Sequence, residues 1–239
     1  MYKLRYAISQ VKDGNMGYRF SSKNVLIKNK ENFLKNSGFT LEETVCMKVQ
    51  MLDDIEFVTD KDKGRGTKDS SDALNCDALI TTQSGLNLFL VVADCLPIII
   101  FDKKKGILSL IHSSWSNTDK QIVKKILKEF EKLNSNFKDI QVIIGPGIQK
   151  DSLIYDKNIF DKTTSDWGEY IEKVGEDKYG IDNLGYTIKQ LENSGIGKNQ
   201  IKIHDIDTYK DENYFSHVRD FRKGIPDQGR FAMVARFEE

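Results

Sequence analysis

Cys95 and His112 are the side chains in this sequence best placed to do chemistry. Cys95 closes an apolar stretch within LFLVVADCLPIIIFD, and His112 follows a second stretch in ILSLIHSSW, so both are expected where neighbouring buried strands end. A thiol and an imidazole on adjacent strand ends can bind a soft metal or act as nucleophile and base. The same two residue types also serve as plain packing, because cysteine is among the most buried residues and a histidine beside a strand is often a satisfied core group. Polar turns favour chemistry: Asp94 precedes the cysteine, Pro97 follows it, and Ser113, Ser114 and Trp115 follow the histidine. Strand ends of this kind are where α/β proteins hold their ligands.

The elements that must position this pair are mixed in order. YKLRYAIS reads as a strand, ENFLKNSGF as a short helix ended by Gly38, and TVCMKVQ and IEFV as strands parted by Asp53 and Asp54. DKDKGRGTKDSSD is a charged, aperiodic loop, read either as a solvated connection or as a basic lid using Arg65 or Lys68. DALITT and NLFLVVADC continue as strands, followed by the strand that carries His112. SSWSNTDKQIVKKILKEFEKL then reads as one helix, capped near Asn117 or Thr118, with Ile122, Val123, Ile126, Leu127 and Phe130 at helical spacing. DIQVIIGPGI reads as a strand, NLGYTIKQLENSGIG as a helix closed by Gly195, and IKIHDID and GRFAMVARF as strands. Within IKIHDID, His204 reads as a structural or exposed strand residue.

The chain has 239 residues, 39% of them hydrophobic, enough for a full core, and residues 1–239 are expected to form one domain. Lysine plus arginine and aspartate plus glutamate balance at 36 each, which gives no whole-chain electrostatic case for nucleic acid or an anionic membrane. Cys46, Cys76 and Cys95 are odd in number and widely spaced, unlike a secreted disulfide framework. With no signal-like apolar start and no run near the roughly 20 residues that span a bilayer, a cytoplasmic protein is expected. No sequence feature sets an oligomeric state.

The segments DALITTQSG, VVADCLPIIIFD, IHSSW, VIIGPGI, YGIDNLGYTIKQLENSGI, YFSHVRD and GRFAMVARF occur in this order across nearly the whole chain. Together they resemble the YfiH-type family, also called the polyphenol-oxidase or laccase-domain family. Its members are described as purine nucleoside phosphorylases and, in some bacteria, as peptidoglycan editing factors. The resemblance implies an α/β fold, a single domain with a central mixed sheet flanked by helices, similar to the YfiH-like cysteine hydrolases. It also implies a zinc ion held by the cysteine matching Cys95, the histidine matching His112, and a further histidine in a Gln-Val-His-Gly segment.

This sequence departs from the family at that third ligand. The segment reads VQMLDDIEFV, so Gln50 and Met51 match and Leu52 stands where the histidine should be. Two protein ligands are one fewer than a catalytic zinc usually has, so affinity is expected to fall unless Asp53, Asp54, Asp94 or Cys76 supplies a donor. The family's His-Ala-Gly-Trp-Arg-Gly segment here runs from His112 to Asn117 without its arginine. Ser113 can still donate to a phosphate, and Trp115 can stack on a purine or pack beneath the helix start. Arg219, at a family arginine position, is read as a substrate contact or as a salt bridge to an acid such as Asp220 or Glu212. His217, at a family tyrosine position, is read as adjacent to the site.

The resemblance implies phosphorolysis of adenosine, inosine or related nucleosides, with Cys95 and His112 catalytic and a small-molecule nucleoside and phosphate as partners. One alternative is a metal-independent cysteine hydrolase in which Cys95 and His112 attack an amide or ester, as in peptidoglycan-precursor editing. The other is a decayed site on a nucleoside-binding or interaction scaffold. Multicopper oxidation is not expected, since three histidines cannot form the clusters that chemistry needs.

Overall fold

The long apolar run around Cys95 folds as two strands, because one strand of that length would outgrow the sheet it pairs in. The computed structural model describes residues 1–18, 21–156, 163–226 and 228–239. In chain order the elements are β1 (Lys3–Ile8), α1 (Lys23–Asn36), β2 (Thr44–Lys48), β3 (Ile55–Phe57), β4 (Leu74–Asn75), β5 (Ala78–Thr81) and β6 (Asn87–Val92). β7 (Leu96–Asp102), β8 (Ile107–Ser113), α2 (Trp115–Asp119), α3 (Ile122–Lys132), β9 (Ile140–Ile144), β10 (Ile154–Asp156), β11 (Ile171–Lys173) and β12 (Lys178–Ile181) follow. α4 (Asn183–Asn193), β13 (Ile201–Ile203), α5 (His217–Arg222) and β14 (Phe231–Glu238) complete the chain.

The strands form a five-stranded sheet of order β1-β14-β6-β2-β4, a six-stranded sheet of order β13-β9-β7-β8-β5-β3 and a small three-stranded sheet, β10-β12-β11. Both large sheets mix parallel and antiparallel pairs. β6 and β7 therefore belong to different sheets, and the chain crosses between them at residues 93–95.

Side-chain alternation along the strands builds the layers. On β7, Ile99 and Phe101 join Leu108, Leu110, Met233 and Phe237 in a core between the two large sheets. Ile98 and Ile100 face the other way, against Ile122, Ile126, Phe130 and Leu191 of the helices. Burial on both faces explains why β7 is apolar from Leu96 to Phe101 rather than alternating. Phe33 and Leu34 of α1 cover the outer face of the five-stranded sheet, against Phe89 and Val234. The layers therefore run helix, sheet, sheet, helix.

Local chemistry moves several expected boundaries. α1 starts at Lys23, well before the expected ENFLKNSGF, because Leu26, Lys30, Phe33 and Leu34 bury at helical spacing. The segment after His112 is two helices, not one: Gln121 adopts a left-handed φ of 59° and separates α2 from α3. The cap of α2 is Ser114, whose hydroxyl accepts from the Asn117 backbone N–H, and Asn117 is its capping-box partner. Gly38 and Gly195 do follow the ends of α1 and α4 at positive φ, where glycine is favoured. The charged segment 60–72 is tied to β2 by backbone hydrogen bonds, Cys46 N–H to the Arg65 carbonyl and Gly64 N–H to the Thr44 carbonyl, and Arg65 pairs with Asp62 and Asp72 within it. Among the described residues, no helix is long and apolar enough to cross a membrane.

Candidate functional site

Several strand ends converge at one end of the layer between the large sheets. β7 begins and β8 ends side by side there, with Leu96 opposite Ser113 and Pro97 opposite His112. β5 begins at the same end, with Ala78 opposite Ile111, and β9 finishes there, with Ile144 opposite Ile98. Cys95 immediately precedes β7 and Asp77 immediately precedes β5, so a thiol, an imidazole and a carboxylate meet.

Asp77 organises the group. Its Oδ1 lies 2.9 Å from His112 Nδ1, with both side chains buried. Oδ1 also accepts from the backbone N–H of Gln50 and Met51, and Oδ2 from those of Leu52 and Asp53. Burial alone would push this carboxyl up, but the His112 bond and the backbone donors outweigh it and hold it below the usual carboxylate range. On His112, burial favours the neutral ring, while the charge the Cys95 sulfur can carry and the Asp77 hydrogen bond favour the cation. The cation prevails, and the pKa is raised to about 9. With Nδ1 bound to Asp77, Nε2 is the nitrogen left for Cys95.

Cys95 is partly exposed, whereas Cys46 and Cys76 are buried. Its position is set by Asp94, a non-glycine residue at a φ of 77°. Such a conformation costs energy and persists where surrounding contacts enforce it. Asp94 Oδ1 accepts from Thr208 Oγ1 at 2.8 Å, and Oδ2 from the Val218 N–H at 2.7 Å. Its carbonyl accepts from the Ile148 N–H. A Cβ on Gly147 would lie 2.5 Å from Leu96 Cδ2 and 3.1 Å from the Asp94 carbonyl oxygen, so any side chain there would force the buried Leu96 to shift.

Of the other residues singled out from sequence, Trp115 packs edge-on to Tyr155, with centroids 6.3 Å apart, and Tyr155 lies within electrostatic reach of Cys95. Ser113 alternates to the helix face, where its hydroxyl meets Thr118 Oγ1 at 2.8 Å. Arg219 directs its guanidinium to the carbonyls of Thr208, Tyr209, Asp211 and Tyr214 and pairs with Asp220. The pair with Asp220 is the salt bridge weighed for it from sequence beside a substrate contact. His217 begins α5 and meets Gln228, while His204 meets the Tyr6 hydroxyl.

Of the donors that could replace Leu52, the side chains of Asp53, Asp94 and Cys76 are engaged elsewhere. Asp53 pairs with Lys120 and Lys125. The Asp94 carboxylate holds Thr208 and Val218, whereas Asp54 is tied down through its backbone carbonyl, which accepts from the Asp77 and Ala78 N–H groups, and not, among the described residues, through its carboxylate. Cys76 is buried in the inter-sheet core, its thiol pushed up to about 12 chiefly by that burial. Among the described residues, no three His, Cys, Asp or Glu side chains gather as a metal site. Cys95 and His112 offer two donors, so the residues present do not fit the three-ligand zinc centre that the resemblance implies.

Sequence reasoning did not single out Asp77, Tyr155 or Arg222. Asp77 carried one weak signal: an acid opening the apolar strand DALITT.

Comparison with known proteins follows this geometry. The profile of the family described as multi-copper polyphenol oxidoreductase laccase matches residues 7–238. A protein of Staphylococcus saprophyticus named as a purine nucleoside phosphorylase is 31% identical over 205 residues, covering 84% of this chain and 77% of its own length. One of Staphylococcus aureus with the same name is 35% identical over 150 residues, 62% of this chain and 56% of its own length. The crystal structure of YlmD from Geobacillus stearothermophilus has a TM-score of 0.86 at 24% identity, covering 100% of this chain and 91% of that one. That of YfiH from Bacillus licheniformis has a TM-score of 0.85 at 24% identity, covering 93% and 85%. These two structures share the mixed α/β fold with this chain.

Proposed function

Because this chain belongs to the multi-copper polyphenol oxidoreductase laccase family, in which its relatives are named as purine nucleoside phosphorylases, we propose that it cleaves purine nucleosides with phosphate at Cys95 and His112. The observation that carries the reading is the Cys95, His112 and Asp77 line beside Trp115 and Tyr155. In phosphorolysis a phosphate oxygen bonds to C1′ of the ribose as the C1′–N9 bond breaks. The bonding pair leaves on the purine, which takes up a proton. His112, held as a cation by Asp77, donates toward the departing base, and the polarisable Cys95 sulfur beside it faces the positive charge that develops on the sugar. Preorganised charges of this kind lower barriers without a covalent intermediate. Trp115 and Tyr155 offer aromatic surface to the purine. Arg219 and Ser113 support the site from beneath, Arg219 by holding the 208–214 backbone and Ser113 by tying β8 to α2.

No step in this scheme passes through zinc, because the donor set falls one ligand short. The test is chromatography of the products formed from inosine or adenosine with phosphate. Free base together with ribose 1-phosphate, lost in His112→Ala, supports the proposal. Free base without ribose 1-phosphate, or no cleavage by the folded protein, contradicts it.

The same line of residues favours a second reading: a partly exposed thiol beside an imidazole oriented by a carboxylate is also a nucleophile arrangement. In it Cys95 attacks an amide or ester carbonyl, as a cysteine hydrolase would. Turnover of an acyl substrate with a Cys95-bound intermediate, seen as a mass increase on that residue, would favour it over phosphorolysis.

A further inference from the structure

α5 turns His217, Val218, Phe221 and Arg222 to one side, where with Leu153 and Tyr155 they line a groove of about 290 Å³. The groove lies beside the segment that carries Cys95. Val218 gives its N–H to Asp94, the residue before Cys95. Tyr155 lies within electrostatic reach of Cys95, Asp94 and Arg222 alike.

Arg222 differs from its charged neighbours on this segment. Arg219 pairs with Asp220, and Lys223 with Glu212. Among the described residues Arg222 has no carboxylate partner: it makes one long bond, 3.4 Å, to the Ser152 carbonyl. Its guanidinium sits 5.1 Å from the Tyr209 ring centroid. A tyrosine face restricts the plane of the guanidinium while leaving its donors open, and a planar donor fork matches the geometry of a phosphate. Phe221, 70% exposed, and Tyr155 give the groove apolar walls suited to the organic part of a ligand.

We infer that Arg222 is the phosphate contact of this site, holding a phosphate group in the α5 groove within reach of a nucleoside at Cys95. The inference rests on the purine-nucleoside reading and deepens it. It gives the site a cation where the family's strand-end arginine is missing. The phosphate has two possible sources, inorganic phosphate as cosubstrate or the 5′-phosphate of a purine nucleotide.

Isothermal titration of the full chain at low ionic strength separates them, with inorganic phosphate, inosine 5′-monophosphate and inosine as probes. Arg222→Gln is expected to weaken the phosphate-bearing probe by about tenfold or more, the effect of losing charge-assisted hydrogen bonds, and to leave inosine binding unchanged. Arg222→Lys should fall between the two. Lys223→Gln, which changes a neighbouring charge outside the groove, should match wild type. Binding of inorganic phosphate assigns the cosubstrate; binding of the nucleotide in preference to inosine, without inorganic phosphate, assigns a nucleotide substrate. The inference is overturned if wild type binds neither phosphate-bearing probe, if Arg222→Gln binds them like wild type, or if Lys223→Gln weakens them equally. Phosphate binding through Arg222 without nucleoside cleavage would overturn the phosphorolysis reading alone. Cleavage with the same phosphate dependence in Arg222→Gln would overturn this one alone.

Discussion

His112 Nδ1 stands 2.9 Å from Asp77 Oδ1, both side chains buried, and the same carboxylate gathers the backbone N–H groups of residues 50–53. One acid thus orients the imidazole and anchors the loop that carries Leu52. The fold and the chemistry share this residue.

Asp77→Asn should therefore be costly. Breaking a buried ion pair while leaving its partner in place costs about 3–5 kcal/mol. The urea midpoint should fall accordingly, and the His112 ring, followed by NMR, should titrate well below the value of about 9 that it has with Asp77 intact. An unchanged midpoint and an unchanged His112 titration would contradict the role assigned to Asp77.

The raised His112 pKa also sets a pH dependence. The folded-state value of about 9 lies above the ordinary histidine value of 6.5, so the protonated ring contributes stability that is fully present below about 6.5. That contribution is lost as pH rises through about 9. Urea denaturation across this window should show wild type losing stability toward alkaline pH, and His112→Gln losing distinctly less. Parallel slopes in the two proteins would refute the assignment.

The thiols should separate by reactivity. Burial, as the largest cause, pushes both the Cys46 and Cys76 thiols up, while Cys95 is partly exposed beside a cationic imidazole. Mass spectrometry after brief iodoacetamide treatment should find Cys95 alkylated first, and His112→Ala should slow it. Equal labelling of all three would count against a polarised Cys95.

Leu52 should be the reason for weak metal binding. Plasma mass spectrometry of the dialysed protein should find well below one zinc per chain, and Leu52→His should raise it toward one by restoring a third donor. Near-stoichiometric zinc in wild type, lost in Cys95→Ala, would mean that another residue completes the site.

How much of this was legible in the sequence depended on range. The α3 face from Ile122 to Phe130 and the Gly195 helix end were readable because they are set by spacing along the chain. The pairing of Cys95 with His112 was readable because β7 and β8 are adjacent in sequence and form a hairpin. The end of the strand NLFLVVADC near Cys95 was readable, but the passage of the chain from one sheet to the other at residues 93–95 was not, since it is set by the positive φ of Asp94 and by strand pairing. Likewise, Gln121 divides the helix after His112 through a left-handed conformation that its residue type does not announce. Asp77 reaches His112 across 35 residues through strand pairing, and Arg222 reaches the groove from the other end of the chain. Such meetings are set by topology and leave no local pattern.

The most direct test of the central claim is the rate at which wild type and Cys95→Ala release free base from inosine in the presence of phosphate. The account predicts cleavage by wild type and a loss of about 10²–10³ in kcat/KM in Cys95→Ala, the scale of removing one preorganised electrostatic group. A Cys95→Ala protein that cleaves inosine as fast as wild type would contradict it.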